Sequence, residues 1–400
     1  MSHVAEPRTV LDAIRAYSLP LIGGVILAVI WANIAGEVDY HKIIDYPLGS
    51  FNLLGRTVTL TPHWLINDIF MVFFFGVAAK EITDAMLPGG ALNPPSKALN
   101  PIMGTIGGVV GPVAVYFLMT FLIGGAEAGN IAKGWGIPTA TDIALAWLVA
   151  RVVFGAAHPA VNFLLLLAIA DDALGLMIIA IFYPDPTAPV EVVWLLLTAA
   201  GMGLAYGMTK LKVNNWLLFM ATAGVLSWVG LLRAGLHPAL ALVVIIPFMP
   251  SAFAGKREGE KGSPRDDYMK YLGLPVDLGL FFFGLFNAGV ALGSVGAVTW
   301  VVLVALLVGK PLGIGGFAML GNAIGFKYPS GMGFRHAVVA GIVAAMGLTV
   351  ALFVSGQAFA GDTLHLQGAA KLGALLSVLA APIAIVAGKM LKVKELEGGQ

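Results

Sequence analysis

The sequence predicts an all-α polytopic membrane protein of about twelve transmembrane helices. Two observations carry that reading. Hydrophobic residues make up 58% of the 400-residue chain and charged residues only 11%, against about 45–50% and 25% in ordinary globular proteins. So few charges cannot cover a water-soluble surface. Long apolar runs also recur along the whole chain, and at roughly 20 residues for each crossing twelve of them take about 240 residues. Lipid leaves the backbone to satisfy its own hydrogen bonds, so nearly all of each run is expected to be helical. Lys and Arg number 23 against 22 Asp and Glu, a formal charge of +1, which provides no basic patch for nucleic acid. Cysteine is absent, which removes disulfides, thiolate nucleophiles and thiolate metal sites together.

In order, the predicted spans cover residues 12–36, 62–85, 101–124, 135–153, 159–182, 190–209, 215–232, 236–249, 273–294, 297–319, 335–359 and 369–390. The first follows Arg8 and Arg15 and runs on to Trp31 without a small-residue cleavage site, so it reads as a retained helix and not a signal peptide. The fourth is interrupted. Gly134-Trp135-Gly136-Ile137-Pro138 precedes Asp142 inside a membrane segment, and such breaks survive only where the chain lines a cavity or is buried in protein. The eighth is short, and the eleventh has weak points at Gly341, Gly347, Thr349 and Gly356. Between the first two spans, residues 37–61 hold the alternating run Thr57-Val58-Thr59-Leu60-Thr61 after a turn-like stretch around Gly49, the pattern of a small β-hairpin. Residues 251–271 carry the densest charge cluster and read as a solvated connection without chemistry.

Basic residues set the orientation. With the N-terminus in the cytoplasm, seventeen of the 23 Lys and Arg fall on inside segments and five outside, Lys371 among the latter, while Lys310 lies within a span. That bias places both termini in the cytoplasm and the hairpin on the extracytoplasmic face.

In a chain so poor in charge, ionisable residues deep in spans are the informative ones. They are Asp142 in the fourth span, Asp171 and Asp172 in the fifth and Lys310 in the tenth. At about 2.5–3.5 kcal/mol each on insertion scales the four cost roughly 10–14 kcal/mol, comparable with the whole stability of many domains. A buried pair of Asp171 with Lys310 can serve structure alone, but it leaves Asp142 and Asp172 unexplained. Neighbouring helical positions point about 100° apart, so one acid can face an aqueous cavity while the other turns to a partner helix. A carboxylate binds a hard cation when ionised and expels it when protonated. The set suits a site that trades a cation for protons, with no resident cofactor.

Spans three to five (101–182) begin in the cytoplasm. Spans ten to twelve (297–390) lie seven later, begin outside, and so form an inverted repeat with the broken helix, span 4 or 11, in the middle of each. Half-helix ends carry partial charges. A carboxylate such as Asp142 offsets N-termini, and a lysine offsets C-termini.

Thr139-Ala140-Thr141-Asp142, Ala168-Ile169-Ala170-Asp171-Asp172 and Gly309-Lys310-Pro311-Leu312-Gly313, in that order, resemble the NhaA family of sodium/proton antiporters. So do Trp64-Leu65-Ile66-Asn67-Asp68, Gly235-Leu236-His237-Pro238-Ala239-Leu240, Phe286-Asn287-Ala288-Gly289-Val290 and Gly347-Leu348-Thr349. The resemblance implies one transporter domain over residues 1–400, with spans 4 and 11 unwound and crossing. A core of 101–182 and 297–390 would move against an interface panel of 12–85 and 190–294, in the bacterial inner membrane. It implies Asp171 and Asp172 as the carriers of Na+ and H+, Li+ being a second candidate ion, with Asp172 the more direct ligand. Lys310 would pair with Asp171, Asp142 would compensate charge at the crossing, and Thr141 would support the cation. Asp68, Glu81, His237 and Thr349 match positions of access or modulation. Exchange would be electrogenic, more protons entering than sodium ions leaving, and the 37–61 hairpin would join two copies in a homodimer.

The chain departs from the family at the cytoplasmic ends of spans two and nine. Thr83-Asp84-Ala85 stands where a Lys-Arg-Glu run is expected, and Tyr268, Met269 and Leu272 stand where Glu and His are usual, so the family's pH sensor is not carried over. Three other functions compete with antiport. A channel calls for a ring of pore-lining acids, which nothing in the chain suggests. Sodium-coupled transport of an organic anion would need added cationic residues, and none are present. An intramembrane aspartyl protease needs its acids on two helices, with a Gly-x-Gly-Asp signature that is missing. Elsewhere, His237 reads as a cap beside Pro238, Asp68 and Asp277 as interfacial, His336 as a solvated helix end, and Phe73-Phe74-Phe75 and Phe281-Phe282-Phe283 as lipid-facing or packing aromatics.

Overall fold

A computed structural model describes residues 18–93, 95–185, 189–251 and 262–394. The start of the first predicted span and residues 252–261 of the charged connection lie outside them. In chain order the helices are α1 (Leu19–Ile34) and α2 (Glu37–Ile44), then, after the strands β1 (Gly49–Leu53) and β2 (Arg56–Leu60), α3 (62–86) and α4 (Pro95–Ile123). There follow α5 (Ile143–Phe154), α6 (Pro159–Phe182), α7 (Leu195–Lys210), α8 (Trp216–Ala234) and α9 (Pro264–Asn287). The last are α10 (Ala297–Ala323), α11 (Phe334–Ala344), α12 (Thr349–Ala358), α13 (Leu364–Leu376) and α14 (Ala380–Met390). Among the described residues eight helices are long and apolar enough to cross a membrane, or nine with α11 and α12 taken as one bent span. Their outer faces carry large apolar side chains, such as Phe121 at 83% exposure and Ile181 at 68%, a surface suited to lipid.

The chain divides into two compact units. One takes in the described residues of Leu19–Gly90 and Leu176–Ala291. Here the strands pair antiparallel from Gly49↔Leu60 to Leu53↔Arg56. Their two-residue turn has positive φ at both Leu54 (50°) and Gly55 (88°), the mirror-image turn that matches strand twist. Asn52 Oδ1 accepts from the Gly55 N–H at 2.9 Å. The loop expected over 37–61 thus contains the hairpin, but also a helix, α2.

Two predicted spans need correcting in this unit. The ninth begins at Pro264, not 273. Ser263 caps it by accepting from the Asp266 N–H, Pro264 occupies the first turn, and Asp266 and Asp267 face the positive helix end. Residues read as solvated connection are therefore helix, and Asp277 lies near its middle. The eighth is not a regular helix but contains short 3₁₀ turns, Pro238–Leu240 and Ile246–Phe248, because Pro238 and Pro247 lack the amide donors that a longer helix requires. The aromatic triplets split as helical geometry demands: Phe75 and Phe283 are buried, while Phe282 is exposed.

The other unit takes in the described residues of Ala91–Gly175 and Leu292–Gln400. Its tightest contact is α4 against α10, backbone to backbone. A Cβ on Gly313 would stand 1.9 Å from the Gly107 carbonyl oxygen, one on Gly107 2.1 Å from that of Gly313, and one on Gly111 2.3 Å from that of Gly309. Small residues four apart on both helices permit this approach, as in membrane helix pairs generally. The α10 helix widens to a π-helical turn over Ala305–Gly309, immediately before Lys310. Lys371 is buried in α13. His336, expected in solvent, is buried at the start of α11. Its Nδ1 accepts from the Gly333 N–H at 3.1 Å, and its ring stacks on His158 with centroids 5.1 Å apart. Phe154 stacks on His158 at 5.6 Å and also lies 6.4 Å from His336, so the three rings form one cluster.

Candidate functional site

The two interruptions expected in spans four and eleven are present, and they meet. Before α5 the chain forms a 3₁₀ turn over Ile137–Thr139, then extends through Ala140 and Asp142. Between α11 and α12 it bends by 57°. Helix breaks strand backbone groups, and here each break satisfies the other. The Asp142 N–H donates to the Met346 carbonyl at 2.8 Å, and the Thr141 hydroxyl donates to the Ala344 carbonyl at 2.9 Å. Gly347 is required at this contact, since a Cβ there would meet the Ala140 carbonyl at 2.9 Å.

Asp142 caps α5. One oxygen accepts from the Leu145 N–H at 3.2 Å, and the other from the Thr349 hydroxyl at 3.3 Å. Thr349 opens α12, so this carboxylate stands at two helix N-termini, whose partial positive charge favours it.

Lys310 occupies the complementary place. Fully buried, its ammonium donates to Asp171 Oδ2 at 2.7 Å, Thr141 Oγ1 at 2.7 Å and the Thr139 carbonyl at 2.9 Å. Three donors meet three acceptors. Two of those acceptors belong to the first break, and Thr141 passes the chain of bonds on to the carbonyl that ends α11. A lysine set against exposed helix carbonyls offsets their negative partial charge.

Asp171 and Asp172 sit halfway along α6. Asp171 is fully buried and Asp172 half-buried, the divergence that adjacent helical positions impose. While Asp171 Oδ2 holds Lys310, its Oδ1 is buried without a hydrogen-bond donor among the described residues; a Cβ on Gly108 of α4 would lie 3.9 Å from it. Three carboxylates, Asp142, Asp171 and Asp172, thus stand in this unit, and of the three the Lys310 ammonium bonds Asp171. Carboxylates in a buried setting call for cations or for protons.

Asp68, Glu81 and His237 belong to the other unit. Asp68 is half-buried on a π-helical turn of α3, its carbonyl accepting from Trp228 Nε1 at 2.9 Å. His237 is a cap as expected, Nδ1 accepting from the Ala239 N–H at 3.2 Å. Glu81 is near Lys80, Asp277 and Asp84. Sequence reasoning missed Arg265, which is 3% exposed. It bonds Asp84 at 3.0 Å and the Met249 carbonyl at 2.8 and 3.1 Å, while Lys80 pairs with Asp84 at 2.9 Å. The Ser-Pro-x-Asp start of α9 was the available signal.

The family profile described as Na+/H+ antiporter 1 matches residues 8–389. The chain belongs to this antiporter family. Among its relatives is the Na(+)/H(+) antiporter NhaA of Desulfitobacterium hafniense, 50% identical over 406 residues that cover 99% of this chain and all of that protein. The NhaA of Geobacter metallireducens is 51% identical over 395 residues, covering 97% of this chain and all of the relative. That of Jannaschia sp. is 43% identical over 425 residues, covering 97% and 99%. Membership makes this a multi-pass membrane transporter and not an enzyme, which sets aside the aspartyl protease.

Proposed function

We propose that this protein exchanges cytoplasmic Na+, with Li+ as a second substrate, for external protons. Asp172 is the direct ligand and Asp171 the coupled acid. The observation that carries this reading is the divergence of two adjacent carboxylates, one locked to Lys310 and one half-open, in the unit where two interrupted helices meet. A cation and protons compete for the same oxygens, so binding one drives off the other. Thr141 orders Lys310 and the first break, and Asp142 with Thr349 balances the helix ends. Lys310 has all its donors committed and leaves none for a carboxylate substrate, which counts against an organic anion.

The finer features of the reading are as follows. The twelve spans include 101–182 and 297–390 as inverted repeats, with spans 4 and 11 crossing at their breaks. The two compact units supply two bodies for alternating access, and more protons enter than sodium ions leave. The protein resides in the bacterial inner membrane with both termini cytoplasmic. The hairpin lies outside and joins two copies, since each strand of a two-stranded sheet has an unpaired edge.

The test is the sodium-induced pH change in proteoliposomes. Wild type is expected to show it and Asp172→Asn to lose it while remaining folded. Undiminished exchange in Asp172→Asn rejects the site.

A further inference from the structure

We propose that Ser377 is a positioning residue for the ion site, its hydroxyl holding the unwound segment of the eleventh span where that segment meets Asp142. This rests on the exchange reading above. Nothing in the sequence set Ser377 apart. It is 1% exposed and stands where α13 passes through a 3₁₀ turn, Ser377–Leu379, on the way to α14. Its Oγ donates to the Ala374 carbonyl at 2.6 Å and accepts from the Gly347 N–H at 3.2 Å.

Gly347 lies in the four residues that separate α11 from α12. The Ala345 and Met346 amides find their acceptors inside α11, at the Ile342 and Val343 carbonyls (3.2 and 3.4 Å). The Gly347 amide finds its acceptor on another helix. The same residue also abuts the Ala140 carbonyl so closely that no side chain fits. The segment is therefore gripped between the first break and Ser377. Its neighbours Met346 and Thr349 supply two of the partners of Asp142, one to the backbone and one to the carboxylate. A displacement of Gly347 carries both. Removing the serine oxygen leaves a buried N–H without an acceptor, which the segment relieves only by moving. Threonine retains the oxygen and alanine does not.

The experiment uses the full chain in proteoliposomes. In Ser377→Ala the apparent KM for Na+ is expected to rise about two- to tenfold, the effect of losing one backbone hydrogen bond, with the maximal rate retained; Ser377→Thr restores the wild-type KM. Ser355→Ala is the matched control, because Ser355 is equally buried but its hydroxyl, among the described residues, bonds only the Ala351 carbonyl of its own helix. Its KM is expected to stay at the wild-type value. Backbone hydrogen exchange over residues 345–348, measured in detergent, is expected to quicken in Ser377→Ala and not in Ser355→Ala. An unchanged KM with unchanged exchange overturns the proposal, as does an equal shift in the control or no rescue by threonine. Should Ser377→Ala fail to accumulate, Ser377→Cys decides: its weaker acceptor should raise KM part-way and quicken exchange, and wild-type values for both contradict the proposal. Full transport by Asp172→Asn would sink the exchange reading instead, while the exchange rates at 345–348 would still report on Ser377.

Discussion

Two buried ionic clusters, one in each unit, show what separates a binding site from a fastening. In the unit of α3 and α9, Asp84 is bonded directly by two cations, Lys80 and Arg265, and Arg265 also spans the Met249 carbonyl. In the unit of α6 and α10, Lys310 is shared among Asp171, Thr141 and a broken-helix carbonyl, while Asp142 and Asp172 bring further negative charge. Both clusters are buried and both hold a carboxylate–cation pair near 3 Å. Burial and pairing alone do not mark function. The difference lies in where the cations are placed and in the backbone around them: two cations converge on Asp84 in the first cluster, whereas in the second Lys310 divides its donors between Asp171 and the groups of a helix break.

The largest effect that sharpens this contrast is expected from Lys310→Ala. Breaking a pair this deeply buried costs about 3–5 kcal/mol. Because the variant also frees Asp171, a large drop in melting temperature should come with a shifted pH profile of transport. If both stay at wild-type values, Asp171 and Lys310 do not meet. Arg265→Ala should cost less, about 1–3 kcal/mol, since Lys80 still neutralises Asp84. Its pH profile and apparent KM for Na+ should remain those of wild type, and a shift as large as that of Lys310→Ala would erase the distinction between the clusters.

A smaller effect belongs to the stacked imidazoles of the site-bearing unit. Burial first, and then the neighbouring His336, holds His158 below the usual histidine value. Unfolded chains take up this proton near pH 6.5 while the folded protein resists it, so the contribution is full above that pH and falls away as the solution is acidified. His158 Nδ1 accepts from the Ala160 N–H at 3.1 Å, a bond that asparagine can keep without titrating. The acid limb of melting temperature against pH should therefore flatten in His158→Asn, and an unaltered limb would remove His158 from the account.

Much of the candidate site was legible because its signals are local. Gly and Pro before Asp142, the Asp171-Asp172 pair, Lys310 between glycines and the alternating 57–61 run each depend on a few neighbouring residues. What escaped depends on partners far along the chain. The acceptors of Lys310 include the Thr139 carbonyl, and a backbone oxygen has no sequence signature. The burial of His336 follows from His158, nearly two hundred positions earlier. The π-helical turn before Lys310 alters backbone geometry beneath an unbroken apolar run, whereas the 3₁₀ turns in the eighth predicted span had a signal in Pro238 and Pro247. Arg265 was misplaced for another reason: hydropathy outweighed the cap at Ser263 and Pro264, which fixes the start of α9.

Competition between sodium and protons can be read without any membrane gradient. The solubilised protein in a weakly buffered solution at fixed pH is given NaCl, with choline chloride as the control, and proton release is followed by a pH indicator. Wild type and Arg265→Ala should both release protons on Na+ addition, while Asp172→Asn should release none. Sodium binding by the wild type with no protons released, or the same release from Asp172→Asn, would contradict the assignment of exchange to this pair of acids.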